Sequence, residues 1–161
     1  MFRRGWDRRQ LGARRGRVPD RALRRARPDD AAVILRVAGQ GTGDYLLARR
    51  IPKPAQVALR LLPRRARGPL LARAIARHAW TFAGSGAFRI LSLRPVVFEL
   101  AGNPLIRGEA AGAPMCVWHA AVLTRLFAAL VDPAATVAET GCCGCGDPAC
   151  RFELRAAVNP A

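Results

Sequence analysis

The sequence predicts an α+β domain, a small antiparallel sheet packed with helices. Segments with helically spaced apolar residues and proline or glycine at their ends come first in the chain. Two short strand-like runs follow, residues 87–93 and 96–101, separated by a proline turn. A long apolar segment, residues 114–130, is then followed by two more such runs, 135–140 and 151–158. Helices, two strands, a helix and two strands in this order are typical of an α+β fold.

Three helical segments are predicted before the first strand. The first is short, residues 45–47, and Pro52 stops it. The second covers residues 55–62. Pro69 is expected to begin the third, residues 70–82, because proline suits the first helical position and the apolar residues then recur at helical intervals.

The segment 114–130 is predicted to be a helix that is buried on most sides. It has Pro114 at its first position and is apolar nearly all round, with few interruptions such as His119. The strands at 135–140 and 151–158 are expected to pair across the loop between them.

Composition limits the class of protein. A length of 161 residues suits one domain, and a hydrophobic content of 51% excludes a wholly disordered chain. Five cysteines are too few, and odd in number, for a disulfide scaffold. The longest charge-free apolar stretch, 110–124, has 15 residues, fewer than the ~20 of a membrane-spanning helix.

The net charge of +16 is concentrated at the N-terminus. Residues 1–27 hold 11 Arg and two acids, a net charge of +9, whereas residues 28–161 add +7. Residues 1–42 show no steady apolar period and are interpreted as an Arg-rich arm before a domain at 43–161. Three readings stay open: a disordered arm, a translation from a shifted reading frame, and an arm that binds anionic lipid or nucleic acid.

No secretory signal is expected, because no apolar stretch of the needed length follows the first charges. The sequence Gly39-Gln40-Gly41-Thr42-Gly43 is similar to a dinucleotide-binding turn, but the place of its last glycine is taken by Asp44. We therefore expect no nucleotide site there.

The cysteines are the chemically informative residues. Cys116 lies at the start of the long helix, where the helix dipole is expected to lower a thiol pKa. The other four lie in the segment 141–150 between the last two predicted strands, and Glu139 is an acid in an otherwise apolar strand. A zinc ion accepts either of two ligand sets. One is Cys116, Glu139, Cys142 and Cys150, and the other has Cys145 in place of Glu139. Redox chemistry and plain reduced thiols are the alternatives to metal binding.

Several motifs agree with one family. They are FELAGNPLIRG at 98–108, CVWH at 116–119, and E-x-x-C-x7-C at 139–150 with Gly-Asp inside its loop. Together they resemble the 4-vinyl-reductase domain family, and RIP at 50–52 and RHAWTFAGSG at 77–86 resemble its branch from bacteriochlorophyll synthesis in purple phototrophs. The resemblance runs from about residue 43 to the end.

The resemblance also implies a ligand set. The same domain forms the ligand-sensing part of phenol-responsive transcription activators, where a structural zinc lies beside a largely apolar ligand cavity. Its ligands there are a Cys, a Glu 23 residues on, a Cys three further and a Cys eight further. Cys116, Glu139, Cys142 and Cys150 have the same spacings. Four protein ligands leave no open position, so no metal catalysis is expected.

The implied function is the binding of a porphyrin or chlorophyllide-type tetrapyrrole in bacteriochlorophyll synthesis. The chain would be a carrier or accessory to magnesium insertion, with the large subunit of magnesium chelatase as a partner, or to later enzymes. The alternative is an 8-vinyl reductase of divinyl protochlorophyllide with a partner electron source, because the sequence has no motif for a reductant.

Five residues are candidate contacts of that ligand, and no catalytic residue is assigned. The candidates are His78, Trp80, Phe82, Trp118 and His119. The expected location is cytoplasmic. Nucleic acid is not expected as a partner, whereas a peripheral contact with the photosynthetic membrane and a homodimer stay open.

Overall fold

A computed structural model describes residues 20–79 and 83–155 of the chain. Its helices are α1 (Asp20–Ala26), α2 (Pro28–Arg49), α3 (Lys53–Leu61), α4 (Arg64–Arg77) and α5 (Val117–Leu130), and its strands are β1 (Ala87–Leu93), β2 (Val96–Ala101), β3 (Thr136–Gly141) and β4 (Cys150–Arg155). This order confirms the predicted α+β class.

The four strands form one antiparallel sheet in the order β1-β2-β4-β3. Helix α5 packs on the sheet face that carries the fully buried Phe98 and Phe152. The rings of Phe98 and Phe127 lie 6.1 Å apart between centroids. At the edge of the sheet, the Val137 amide donates a 2.9 Å hydrogen bond to Oγ1 of Thr124 on α5. The core therefore lies between α5 and the sheet, as the apolar character of α5 predicts.

Helix α2 corrects the predicted N-terminal arm. Proline begins this helix and two aspartates follow in its first turn, which favours a helix start. Ala31, Leu35, Gly39 and Gly43 recur every four residues and are buried, because this line of α2 packs along α5. The predicted boundary between residues 42 and 43 therefore falls inside α2, and residues 45–47 end this long helix instead of forming a short one. Residues 1–19 lie outside the described part.

The glycines that are similar to a nucleotide-binding turn have a packing role in α2. A Cβ on Gly39 would lie 2.5 Å from the backbone oxygen of Trp118, and one on Gly43 would lie 2.7 Å from the Arg125 side chain. Such distances are too short for a side chain, so these two glycines let α2 and α5 approach closely. Residues 39–43 form a continuous part of α2.

Two helix starts differ from the prediction. Helix α4 begins at Arg64, so Pro69 lies inside it, because the Arg and Ala residues before Pro69 are good helix formers. It ends at Arg77 rather than at residue 82. Helix α5 begins at Val117, and Pro114 lies in the preceding loop. None of the described helices combines the length and apolar character needed to span a bilayer.

Candidate metal centre and the neighbouring cavity

Four side chains converge where the start of α5 meets β3 and β4. They are Cys116, Glu139, Cys142 and Cys150, and one ligating atom from each lies within 4.8 Å of all the others. Cys116 is the residue just before α5, Glu139 lies on β3, and Cys150 begins β4. All three thiols are buried. This group could hold a metal ion.

A tight turn brings the two strand-end cysteines together. The Cys145 amide donates to the Cys142 carbonyl at 2.9 Å, which closes a single 3₁₀ turn. Gly146 follows with φ of 95°, a conformation that suits glycine. The Asp147 carboxylate then accepts a 2.7 Å hydrogen bond from the Cys142 amide. The chain reverses direction within these residues and returns as β4.

The carboxylate of Glu139 has one oxygen engaged and one not. Its Oε2 accepts a 2.7 Å hydrogen bond from the backbone amide of Cys116. Its Oε1 is buried and has no hydrogen-bond partner among the described residues. A buried carboxylate oxygen without a partner is costly, and a cation in the cluster would remove that cost.

Two of the thiols, those of Cys116 and Cys150, form a hydrogen bond with each other. The Sγ atoms of Cys116 and Cys150 lie 3.3 Å apart. The hydrogen bond from Cys116 lowers the pKa of Cys150 to about 6, which favours its thiolate. The same hydrogen bond, together with burial and the nearby Glu139 carboxylate, raises the pKa of Cys116. This direction is opposite to the one expected from the helix N-terminus, because the hydrogen bond with Cys150, burial and the Glu139 carboxylate all raise the pKa of Cys116. Burial raises the pKa of Cys142 to about 11.

Asn103 was not among the predicted site residues, but its side chain lies against two of the thiols. Asn103 is 2% exposed. Its side-chain Nδ2 lies 3.1 Å from Sγ of Cys116 and 3.6 Å from Sγ of Cys150, in position to donate to both sulfurs. Its Oδ1 accepts the Leu105 amide at 3.1 Å, which fixes the orientation of the side chain. The signal that points to it is its place in the GNP turn of the 98–108 motif.

The remaining cysteines lie beside the cluster. Cys145 is exposed, so among the described residues Glu139 rather than Cys145 joins the three buried thiols. The backbone amide of Cys143 donates to Sγ of Cys150 at 3.5 Å. The cluster therefore has the ligand set that contains an oxygen.

A separate cavity of about 600 Å³ lies among α2, α3, α4 and α5. Aliphatic side chains make up most of its lining, including Leu59, Ile75 and Leu126. Gln56 lines it too, and its Nε2 donates to the carbonyls of Leu47 and Ile51 at 2.6 and 2.8 Å. These two bonds tie α3 to the end of α2. The other polar side chains of the lining belong to Arg50 and His78.

The predicted ligand contacts fall in different places. His78 lines the cavity at the end of α4. Trp118 and His119 lie at the start of α5, and neither is part of that lining. The His119 ring is buried with its centroid 4.9 Å from that of Trp118 and 5.8 Å from that of Phe152. Trp80 and Phe82 lie outside the described residues.

The four residues of the cluster lie in a segment that matches a known domain family. Residues 96–156, which contain Cys116, Glu139, Cys142 and Cys150, match the V4R domain. The chain is 55% identical over 134 residues to the bacteriochlorophyll synthase 23 kDa chain of Cereibacter sphaeroides, covering 83% of this chain and 65% of that one. It is 47% identical over 138 residues to the protein of the same name from Rhodobacter capsulatus, covering 86% and 64%. The chain thus spans a little under two thirds of the length of these relatives.

The fold has a counterpart among solved structures. The phenol-responsive sensory domain of the transcription activator PoxR, crystallised with phenol, superposes with a TM-score of 0.53. It is 17% identical, and the match covers 88% of this chain and 72% of that one. At this identity the likeness concerns the fold alone.

Proposed function

We propose that the chain binds a tetrapyrrole intermediate of bacteriochlorophyll synthesis in the cavity among α2–α5, as a carrier or accessory to the enzymes of that pathway. The observation that carries the proposal is the aliphatic cavity of about 600 Å³ with few polar groups in its lining. Its volume lies in the range of ~300–1,000 Å³ that is typical of small-molecule sites. The name shared by the two relatives supports the pathway.

The polar groups of the cavity suit an apolar ring with acidic substituents. The guanidinium of Arg50 carries a fixed positive charge and can pair with a propionate carboxylate. The imidazole of His78 can accept or donate a hydrogen bond, or bind a metal at the centre of the ring. The aliphatic walls would exclude water from both faces of the ring.

We propose zinc as the occupant of the metal cluster. Three sulfurs and one carboxylate oxygen are a ligand set that zinc accepts. The partnerless Oε1 of Glu139 favours a cation at this position. Bound there, zinc would crosslink the start of α5 to β3 and β4. With four protein ligands it would be structural, and neither Arg50 nor His78 depends on it for its chemistry.

The proposed zinc site and the cavity would therefore have separate roles. The metal cluster would fix the turn between β3 and β4, and the cavity would hold the ligand on the side of α5 that carries Leu126 and Leu130. A reductase would in addition need a source of hydride or electrons, which the carrier does not. This difference makes the two functions separable in solution.

The test mixes the purified protein with protoporphyrin or divinyl protochlorophyllide, with and without NADPH. A saturable shift of the Soret band with an unchanged vinyl group is the result expected of a carrier. Reduction of the vinyl group without a partner protein would overturn the carrier in favour of the reductase. A Soret band that does not shift with either pigment would contradict tetrapyrrole binding.

A matched pair of variants locates the ligand. Arg50→Gln removes the cavity cation and is expected to weaken binding, whereas Arg49→Gln changes an exposed neighbour that is not part of the lining. Equal affinities for the two variants would show that the pigment binds elsewhere.

A further inference from the structure

Helices α3 and α4 carry charge of one sign only. From Tyr45 to His78 the sequence contains nine Lys and Arg residues and no Asp or Glu. On α3 and the first turn of α4 the exposed cations include Lys53, Arg60 and Arg65. Arg64 is also exposed, and its nearest acid is Asp132 at 3.5 Å. This part of the surface therefore presents positive charge with little internal neutralisation.

The same surface exposes large apolar side chains. Leu61 is 80% exposed, Val57 is 55% exposed, and Leu70 on α4 is 46% exposed. Lys53, Val57 and Leu61 are spaced four apart, so they share one line along α3. The buried side of α3 carries Gln56 and Leu59 instead. Helix α3 thus has apolar residues on its outer line as well as its inner one.

The outer line lies on the side of α3 that faces away from the cavity. The inner residues of α3, with Ala58 and Leu62 among them, form one wall of the cavity. Leu70 belongs to the cavity lining and is also nearly half exposed, so it marks the mouth. Leu70 thus belongs both to the cavity and to the exposed apolar residues of these two helices.

We propose that the outer line of α3 and the first turn of α4 form a docking surface for an anionic lipid bilayer. Helices that lie in the membrane interface combine apolar side chains, which enter the acyl boundary, with Lys and Arg, which pair with anionic headgroups. Lys53, Val57 and Leu61 meet both requirements on one line, and Arg65 adds to the charge. This surface deepens the proposed function, on which its benefit rests: docking would hold the cavity, whose lining includes the exposed Leu70, close to a bilayer in which an apolar ligand dissolves.

Lipid fits this surface better than its alternatives. The phosphates of a nucleic acid would pair with the cations. The apolar side chains of Val57, Leu61 and Leu70 would then also face charged phosphates, which is unfavourable. Single-strand binding also relies on exposed aromatic rings, and the exposed large apolar residues of α3 and α4 are aliphatic. An acidic protein would match the charge as well, and the experiment separates this case because its vesicles contain no protein partner.

The test measures cosedimentation of the full chain with vesicles in the absence of any tetrapyrrole. Vesicles of phosphatidylcholine with phosphatidylglycerol are expected to bind the protein, and vesicles of phosphatidylcholine alone to bind it much less. Val57→Ser with Leu61→Ser should lower the partition coefficient several-fold. Lys53→Gln with Arg65→Gln should lower it by more than roughly tenfold, since each cation near an anionic surface contributes a factor of roughly five.

The control uses α2, which also exposes apolar residues. Val33 is 63% exposed and Val37 is 62% exposed, and they lie four apart like Val57 and Leu61. Val33→Ser with Val37→Ser should leave vesicle binding unchanged. Circular dichroism and the thermal midpoint of each variant verify that all of them fold.

Insertion is measured separately from attraction by charge. Leu61→Trp should gain fluorescence quenching by brominated phospholipid, and Val37→Trp should not. Vesicle binding that survives both the apolar and the basic substitutions, or equal quenching at positions 61 and 37, would overturn the proposal. Because no pigment is present, a failure here leaves the Soret measurement of tetrapyrrole binding unaffected.

Discussion

The backbone amide of Cys116 donates a 2.7 Å hydrogen bond to the carboxylate of Glu139, 23 residues further along the chain. The bond joins the start of α5 to β3. Since each of these residues also offers one atom to the group of four that could hold a metal ion, the contact positions two of the four candidate ligands. Only the second oxygen of Glu139 is left for a cation.

Removing one ligand is expected to abolish metal binding. Cys150→Ser replaces a thiolate by a hydroxyl, which is a poor zinc ligand, so the purified variant should contain little zinc by elemental analysis. Cys145→Ser changes an exposed cysteine outside the cluster and should keep the zinc content of the unaltered protein. Undiminished zinc in Cys150→Ser would exclude this ligand set.

Asn103→Asp tests the amide that faces two of the sulfurs. The substitution keeps an oxygen that can accept the Leu105 amide, but it replaces the donor to Cys116 and Cys150 by a second acceptor. Loss of such a supporting hydrogen bond typically lowers metal affinity by about 10–100-fold. Competition with a chromophoric zinc chelator measures the change. An unaltered affinity would mean that Asn103 supports only the turn.

Two glycines of α2 are expected to respond oppositely to alanine. A Cβ at Gly39 would lie 2.5 Å from the backbone oxygen of Trp118, which cannot move aside, so Gly39→Ala should lower the free energy of unfolding by about 1–3 kcal/mol. Gly41 is exposed with no atom within 4 Å of its added Cβ. Gly41→Ala should raise stability by roughly 0.5–1 kcal/mol through helix propensity. Denaturant unfolding measures both, and equal effects would contradict the packing of α2 on α5.

Glu99 is expected to contribute to the decrease of folding stability at acidic pH. Its buried carboxylate lies between Arg89 on β1 and Arg151 on β4, whose Nε atoms are 2.8 and 3.3 Å from its oxygens. The hydrogen bond from Arg89, assisted by Arg151, lowers the pKa of Glu99 below its ordinary value of 4.5. A carboxylate of lowered pKa stabilises the fold above that ordinary value, and the contribution is lost as pH falls through the folded pKa.

The measurement is denaturant unfolding between pH 3 and 7. Stability of the unaltered protein should fall as the pH drops below about 4.5, and Glu99→Gln should make this decline shallower. Arg89→Gln should move the decline to higher pH, because it removes the largest cause of the lowered pKa. Identical acid limbs for Glu99→Gln and the unaltered protein would show that other groups control acid stability.

The order of helices and strands could be predicted because the spacing of apolar residues and the positions of proline and glycine are local features of the sequence. Alternation in 87–93 and the proline turn after it are enough to place β1 and β2. The predicted starts of two helices were wrong: Pro69 lies inside α4, and Pro114 lies before the start of α5. A proline permits a helix start at its position without requiring one, so the neighbouring residues decide.

The role of residues 28–42 could not be predicted from local pattern. After the short apolar run 31–35 they contain Arg, Gln and Gly, and two of the buried positions of α2 are Gly39 and Gly43, which count as breakers in a sequence. These glycines have a role only in the contact between α2 and α5, because a Cβ at either position would obstruct that contact. Asn103 was overlooked for a similar reason, since its partners are 13 and 47 residues away.

The sequence alone determined the order of the elements and the cysteines and acid that are available to a metal. Both follow from residue types and spacings that need no partner elsewhere in the chain. The tertiary structure decided that Glu139 and not Cys145 joins the three thiols, that α2 packs with the domain, and that a cavity lies beneath α3. These depend on distances between segments far apart in sequence, which are set when helices and sheet bury their apolar faces together.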